Sequence, residues 1–220
     1  AEGDSKTSDV WQYEDGLISY LNEALFEVET LPEEPFLHRA EGHQESVEWA
    51  VKWHTGKGNL ITESYVNLIP TSQGGSHVSG LRAGLIEGMR EFCEFRSLLP
   101  RNLKLNADDL FEQCNYILSL KLLDPQFSGQ TKERLSSRQA ATLVSGVVKD
   151  AFSLWLNEHP QEGERLADIA ITNAQHRAKN ARKVVRKRVT AGPALPGKLA
   201  DCSDQDATIA ELFLVEGDSA

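Results

Sequence analysis

The residues best placed to do chemistry sit at the end of the chain. Four apolar residues, Leu212-Phe213-Leu214-Val215, run into the acidic turn Glu216-Gly217-Asp218. The run reads as a buried parallel strand whose C-terminal end presents two carboxylates. Open α/β sheets do their chemistry at that end of the strand. Two carboxylates there suit magnesium, which takes oxygen ligands; an ordinary acidic turn is the plainer alternative. A strand needs a sheet, so the expectation is a fragment that carries the first step into a further domain.

A second candidate is the polar loop Asp124–Lys132, where Gly129, Gln130 and Thr131 precede Lys132 just ahead of a helix. Lys132 is read either as a solvated charge or as a cation that meets a phosphate. A third is the charge run. Between Ile169 and Ala200 there is no Asp or Glu, while Arg177, Lys179, Arg182, Lys183, Arg186, Lys187, Arg188 and Lys198 contribute +8. The net charge is −10, which leaves −18 for the rest of the chain. At 100° per residue, Lys179, Arg182, Lys183, Arg186 and Lys187 share one helix face, and Ala174, Ala178, Ala181, Val185 and Val189 share the other. A solvated face normally mixes signs. The unmixed one points to a polyanion, with nucleic-acid phosphates or an acidic protein partner as the two readings.

Other patterns carry less. Gly192-Pro-Ala-Leu-Pro-Gly197-Lys198 approaches a phosphate-binding loop, but Leu199 stands where a hydroxyl residue is needed and two prolines remove N–H donors. Cys93, Cys114 and Cys202 have no metal or disulfide spacing, as expected of a reducing cytoplasm. No apolar run is long enough to span a membrane. At 40% hydrophobic and 25% charged residues the composition is that of a globular domain.

These groups need an α/β scaffold. Residues 1–9 read as a disordered lead and Val10–Tyr13 as a short strand. Asp15 is expected to cap a helix bearing Leu17, Ile18, Leu21 and Leu25. Pro32 to Pro35 break the pattern. Val47–His54 alternates as a half-buried strand, and Gly56–Asn59 turns it into a hairpin partner, Leu60–Ile69. After the Pro70–Ser76 turn, Val78, Leu81, Leu85, Met89 and Phe92 mark a helix. Asp108 and Asp109 open a short turn, and Tyr116–Leu122 is a strand. Ser136 or Ser137 caps a second helix, striped by Ala140, Val144, Val147, Val148, Ala151, Phe152 and Trp155. Pro160 closes it, and Glu164 to about Thr190 is a third. Gly192–Gly197 is the expected boundary between domains 10–191 and 192–220.

Taken in order, several motifs resemble the B subunits of bacterial type IIA topoisomerases. They are Tyr13-Glu14-Asp15-Gly16, Pro70-Thr71 with Gly74-Gly75-Ser76-His77, Asp124-Pro125 through Gln130-Thr131-Lys132, Leu195–Cys202 and Glu216–Ala220. Ser76 replaces the threonine usual in the Gly-Gly-Thr-His version. Residues 63–70 and 147–156 resemble the topoisomerase IV branch more than the gyrase branch. The resemblance implies an α/β transducer domain over 10–191: a mixed sheet with helices on one side and a left-handed βαβ crossover. It would follow an ATPase domain and precede the first strand of a TOPRIM cleavage domain.

The resemblance further implies an ATP-dependent enzyme that passes one duplex through another, inactive as a fragment. Lys132 would touch the terminal phosphate of ATP, with Gln130 in support. Glu216 would bind the Mg2+ used in DNA cleavage, and Asp218 would fall in a drug-response region. Lys179, Arg182, Lys183, Arg186, Lys187 and Lys198 would face duplex DNA. The implied partners are a topoisomerase IV A subunit and a second B subunit, in the cytoplasm.

Overall fold

The computed structural model describes Tyr13, residues 15–56 and residues 60–187, with side chains to residue 181. The chain divides into two compact units, Ala1–Arg177 and Ala178–Ala220. In the second, only residues 178–187 are described. The expected lead, the strand at 10–12, the boundary at 192–197 and the whole 192–220 segment lie outside the described residues.

Unit one holds a five-stranded mixed sheet with the order β1-β2-β5-β3-β4. The strands are β1 Thr30–Glu41, β2 Ser46–His54, β3 Thr62–Val66, β4 Ile69–Pro70 and β5 Cys114–Lys121. The helices are α1 Leu17–Ala24, α2 Ser76–Phe95, α3 Ala107–Phe111, α4 Arg138–Glu158 and α5 Pro160–Lys187. β2 is antiparallel to both β1 and β5, whereas β3 runs parallel to β5.

The register corrects the expected hairpin. β3 does not pair with β2; β5 lies between them, and Thr62 to Val66 pair with Tyr116 to Leu120. β5 is buried at almost every position, and the central place satisfies its backbone on both sides. β3 turns instead at Asn67 and Leu68 into the short β4.

The Pro32–Pro35 stretch also differs from expectation, for it lies inside β1. Leu31 pairs with Trp53 and Phe36 with Val51, so five steps along β1 match two along β2. An edge strand tolerates prolines at such a bulge because they leave no ladder bond unmade.

Alternation sends Trp49, Val51, Trp53, Leu118 and Leu120 into a core beneath α2 and α4. Ala50 and Ile117 point the other way, against Leu21 and Leu25 of the α1 segment. Helices therefore cover both faces, and β2 is more buried than a half-exposed strand. Asp15 is exposed and does not cap α1; the N-cap is Gly16, whose φ of 59° suits a residue without Cβ.

α2 and α4 follow their expected stripes. Leu81, Leu85, Met89 and Phe92 are buried on α2, and Ala140, Val144, Val148, Phe152 and Leu156 on α4. The helices approach closely because Gly80, Gly84 and Gly88 stand four residues apart along the contact. A Cβ at Gly80 would lie 2.6 Å from the Ala141 carbonyl oxygen, and one at Gly84 would lie 2.7 Å from that of Ser145. α5 begins at Pro160, a residue pre-set for a first helical turn, four residues earlier than expected.

Candidate functional site

The loop from Leu122 to Ser137 is built as a held finger. At its root, Asn67 grips Leu122 twice: Nδ2 donates to the carbonyl at 2.8 Å, and the Leu122 N–H donates to Oδ1 at 2.9 Å. Further along, the two strands of the loop meet in a short ladder. The Ser136 N–H donates to the Gln126 carbonyl at 2.8 Å, and the Ser128 N–H donates to the Arg134 carbonyl at 2.9 Å. Phe127 and Leu135 form an antiparallel bridge between these bonds. Ser137 stands at the N-cap of α4, but its Oγ accepts the Gln126 N–H at 2.8 Å, so the hydroxyl holds the loop and not the helix.

Beyond that neck, Gly129 has φ 89° and Lys132 has φ 58°. A left-handed lysine costs roughly 1–2 kcal/mol of backbone energy. Gln130, Thr131 and Lys132 are all exposed at the tip. The Lys132 Nζ lies 6.0 Å from the centroid of the Phe127 ring, an outer cation–π distance. Among the described residues, Lys132 forms no ion pair.

The finger is fastened to the start of α2. Leu135 is buried, and its N–H donates to the Gly74 carbonyl while its own carbonyl accepts the Ser76 N–H, both at 3.0 Å. Gly75 makes this possible. Its φ is 135°, and a Cβ there would sit 2.3 Å from the Leu135 oxygen. Gln73 adds a second strap: its N–H donates to the Glu133 carbonyl at 3.0 Å, and its Nε2 donates to Glu133 Oε2 at 2.8 Å. Arg134 Nη1 donates to the Gln73 carbonyl at 3.3 Å. Residue types alone do not single out Gln73, Gly75, Glu133 and Leu135. The glycine pair ahead of a helix is the available signal for a close backbone approach.

Beneath this junction, His77 is fully buried, and Nε2 lies 3.1 Å from Thr71 Oγ1. Thr71 Oγ1 donates to the Ser64 carbonyl at 2.9 Å, which leaves the imidazole N–H to donate to Thr71. Burial lowers the His77 pKa to about 4, so the ring is neutral at pH 7.

The basic run is divided. Arg177 is spent inside unit one on Asp109, which accepts from Nε and Nη2, both at 2.8 Å. Asp109 opens no simple turn; it lies in α3 and accepts the Asn106 N–H at 2.7 Å. Lys179 is exposed, and the α5 backbone is helical through Arg182, Lys183, Arg186 and Lys187. Thr190, Lys198, Glu216 and Asp218 lie outside the described residues. Among the described residues, no three His, Cys, Asp or Glu side chains gather as a metal site, and no helix is long and apolar enough to cross a membrane.

The mixed α/β fold with its five-stranded sheet matches the ATPase regions of bacterial type II topoisomerases. It resembles a topoisomerase IV ATP-binding domain from Francisella tularensis with a TM-score of 0.68 and 37% identity, over 76% of this chain and 45% of that one. It resembles the 43K ATPase domain of Thermus thermophilus gyrase B with a TM-score of 0.68 and 27% identity, over 79% and 46%. The DNA gyrase B family model matches residues 16–186, and the chain belongs to that family.

Among curated relatives, the B subunit of DNA topoisomerase 4 from Haemophilus influenzae is 63% identical over 98% of this chain and 34% of its own length. Its counterpart of the same name from Escherichia coli K12 is 61% identical over 98% and 34%. These relatives agree with the branch expected from residues 63–70 and 147–156, and they favour the topoisomerase reading over a docking module for acidic proteins. The chain spans about a third of the length of these relatives.

Proposed function

We propose that this chain is the transducer part of the B subunit of an ATP-dependent type IIA topoisomerase. It couples ATP binding and hydrolysis to duplex passage, decatenation and relaxation. The observation that carries this reading is the finger itself: an exposed Gln130-Thr131-Lys132 tip on a neck hydrogen-bonded to the first turn of α2. Lys132 supplies a positive charge to the terminal phosphate of ATP, where a fixed cation offsets charge on the transferring group. Gln130 adds an amide donor beside it.

Pulling on the tip pulls on Leu135, and through Gly74 and Ser76 on α2. α2 is locked to α4 by the glycine contact, so the two helices move as one body. Such a body can convert the state of a phosphate into a domain rotation. Further along the chain, Lys179, Arg182, Lys183, Arg186, Lys187 and Lys198 provide the electrostatic contact to duplex DNA. Glu216 is the Mg2+ ligand of a TOPRIM domain, and Asp218 falls in its drug-response region. Its partners are a topoisomerase IV A subunit and a second B subunit, and the βαβ unit from β3 to β5 takes the left-handed crossover.

The test is Lys132→Ala in a B subunit of the relatives' full length. ATP turnover falls by about 10²-fold or more, as for loss of a group that stabilises transferring charge, while the far-UV spectrum and melting temperature are unchanged. Unaltered turnover would remove Lys132 from the reaction.

A further inference from the structure

The residue next to Lys132 is an acid. Glu133 is half-buried, and its carboxylate would be the first competitor for the Lys132 ammonium. An ion pair with Glu133 would neutralise the tip and set a negative charge where a phosphate must approach. The structure holds that carboxylate elsewhere, because Gln73 Nε2 donates to Glu133 Oε2 at 2.8 Å. The backbone repeats the arrangement, with the Gln73 N–H on the Glu133 carbonyl at 3.0 Å. The Arg134 guanidinium, 3.3 Å from the Gln73 carbonyl, closes the other side. Glu133 and Gln73 are 60 positions apart, so the strap is a product of the fold.

We infer that Gln73 is a positioning residue: it sequesters the Glu133 carboxylate and so leaves Lys132 free for a phosphate. This rests on the reading of Lys132 as a phosphate contact. A neutral amide suits the task. It donates one strong hydrogen bond to a carboxylate, and it offers no positive charge to compete with Lys132 for the nucleotide. Gln73 is exposed, so its replacement empties no part of the core.

The experiment uses a B subunit of full relative length, with a non-hydrolysable ATP analogue and ADP as separate probes. Gln73→Met removes the donor at nearly constant volume. Analogue binding is expected to weaken roughly three- to tenfold, the range for a charge-assisted hydrogen bond exchanged for an exposed ion pair. ADP, which lacks the terminal phosphate, binds as before. Glu133→Gln in the Gln73→Met background restores analogue binding, because no carboxylate remains to capture Lys132. Gln73→Glu acts in the same direction as Gln73→Met by repelling Glu133 toward the lysine.

Equal weakening for ADP, or no recovery on adding Glu133→Gln, would make Gln73 a merely structural strap and overturn the inference. So would Gln73→Met with undiminished analogue binding while Lys132→Ala weakens it. If Lys132→Ala leaves both probes unaffected, the phosphate contact fails, and the inference fails with it.

Discussion

Arg177 on α5 grips both carboxylate oxygens of Asp109 on α3, Nε to Oδ1 and Nη2 to Oδ2, each at 2.8 Å. Asp109 is 3% exposed, and its carboxylate oxygens are satisfied by that grip and by the Asn106 N–H. The same guanidinium donates to the Lys104 carbonyl at 3.0 Å, and the Asn173 amide donates to the Asp109 carbonyl at 2.9 Å. α5 is thereby tied to α3 through polar groups, in addition to the buried Leu166, Ala167, Ala170 and Ala174. The Asp109 hydrogen bond raises the already high Arg177 pKa, so the guanidinium stays charged across any ordinary buffer range.

Removing the arginine strands a buried carboxylate. Arg177→Met is expected to cost about 1–3 kcal/mol, below the figure for a fully buried pair because Arg177 itself is partly exposed. Asp109→Leu added to Arg177→Met should cost less than the two single changes together, since no unpaired charge remains. Urea denaturation of the four proteins measures the coupling, and strict additivity would deny it.

Much of this scaffold can be read from local pattern. The stripes of α2 and α4 repeat at helical spacing, and both helices form where that spacing places them. β2 and β5 stand out as runs of strand formers. What local pattern cannot supply is partnership. The turn signal at Gly56–Asn59 suggests that Leu60–Ile69 pairs back on β2, but β3 crosses to β5, and that choice is made by burial of β5 on both edges. β1 is hidden by Pro32 and Pro35, because the prolines that break a central strand are tolerated on an edge.

The candidate site divides in the same way. Gln130 and Lys132 are visible as residue types in a glycine-containing loop. Gln73, Glu133 and the Gly75–Leu135 crossing are not, since each joins segments about 60 positions apart. On charge alone Arg177 groups with the basic run, and only the fold reveals that Asp109 already holds it.

The glycines of α2 and α4 should respond in opposite directions to the same substitution. A Cβ at Gly84 would meet the Ser145 oxygen at 2.7 Å and Val148 Cβ at 2.8 Å. Gly84→Ala must therefore push the helices apart, at a cost of about 1–3 kcal/mol. Gly146, also inside a helix, has nothing within 4 Å of such a Cβ. Gly146→Ala should stabilise by up to about 1 kcal/mol, through helix propensity and the loss of freedom in the unfolded chain. Thermal melts of both variants against the parent protein decide the matter. A Gly84→Ala variant as stable as the parent would mean that the α2–α4 contact yields easily, and the two helices could not then transmit movement as one body.

His77 should make stability depend on pH in a definite direction. Its pKa is about 4 in the folded protein because burial disfavours the charged ring, against roughly 6.5 in an unfolded chain. Between those values the unfolded state binds the extra proton, so stability rises with pH. The contribution is complete above about pH 6.5 and is lost as the pH falls toward 4, at up to about 1.4 kcal/mol per pH unit. The neutral ring is held by Thr71 Oγ1, which is in turn bonded to Ser64. His77→Gln keeps an amide donor for Thr71 but does not titrate. Its stability at pH 7 should be lower than that of the parent, and the difference should shrink as the pH approaches 4. Denaturation midpoints at pH 7, 6, 5 and 4 test this. Parallel curves for the two proteins would show that some other group sets the acid limb.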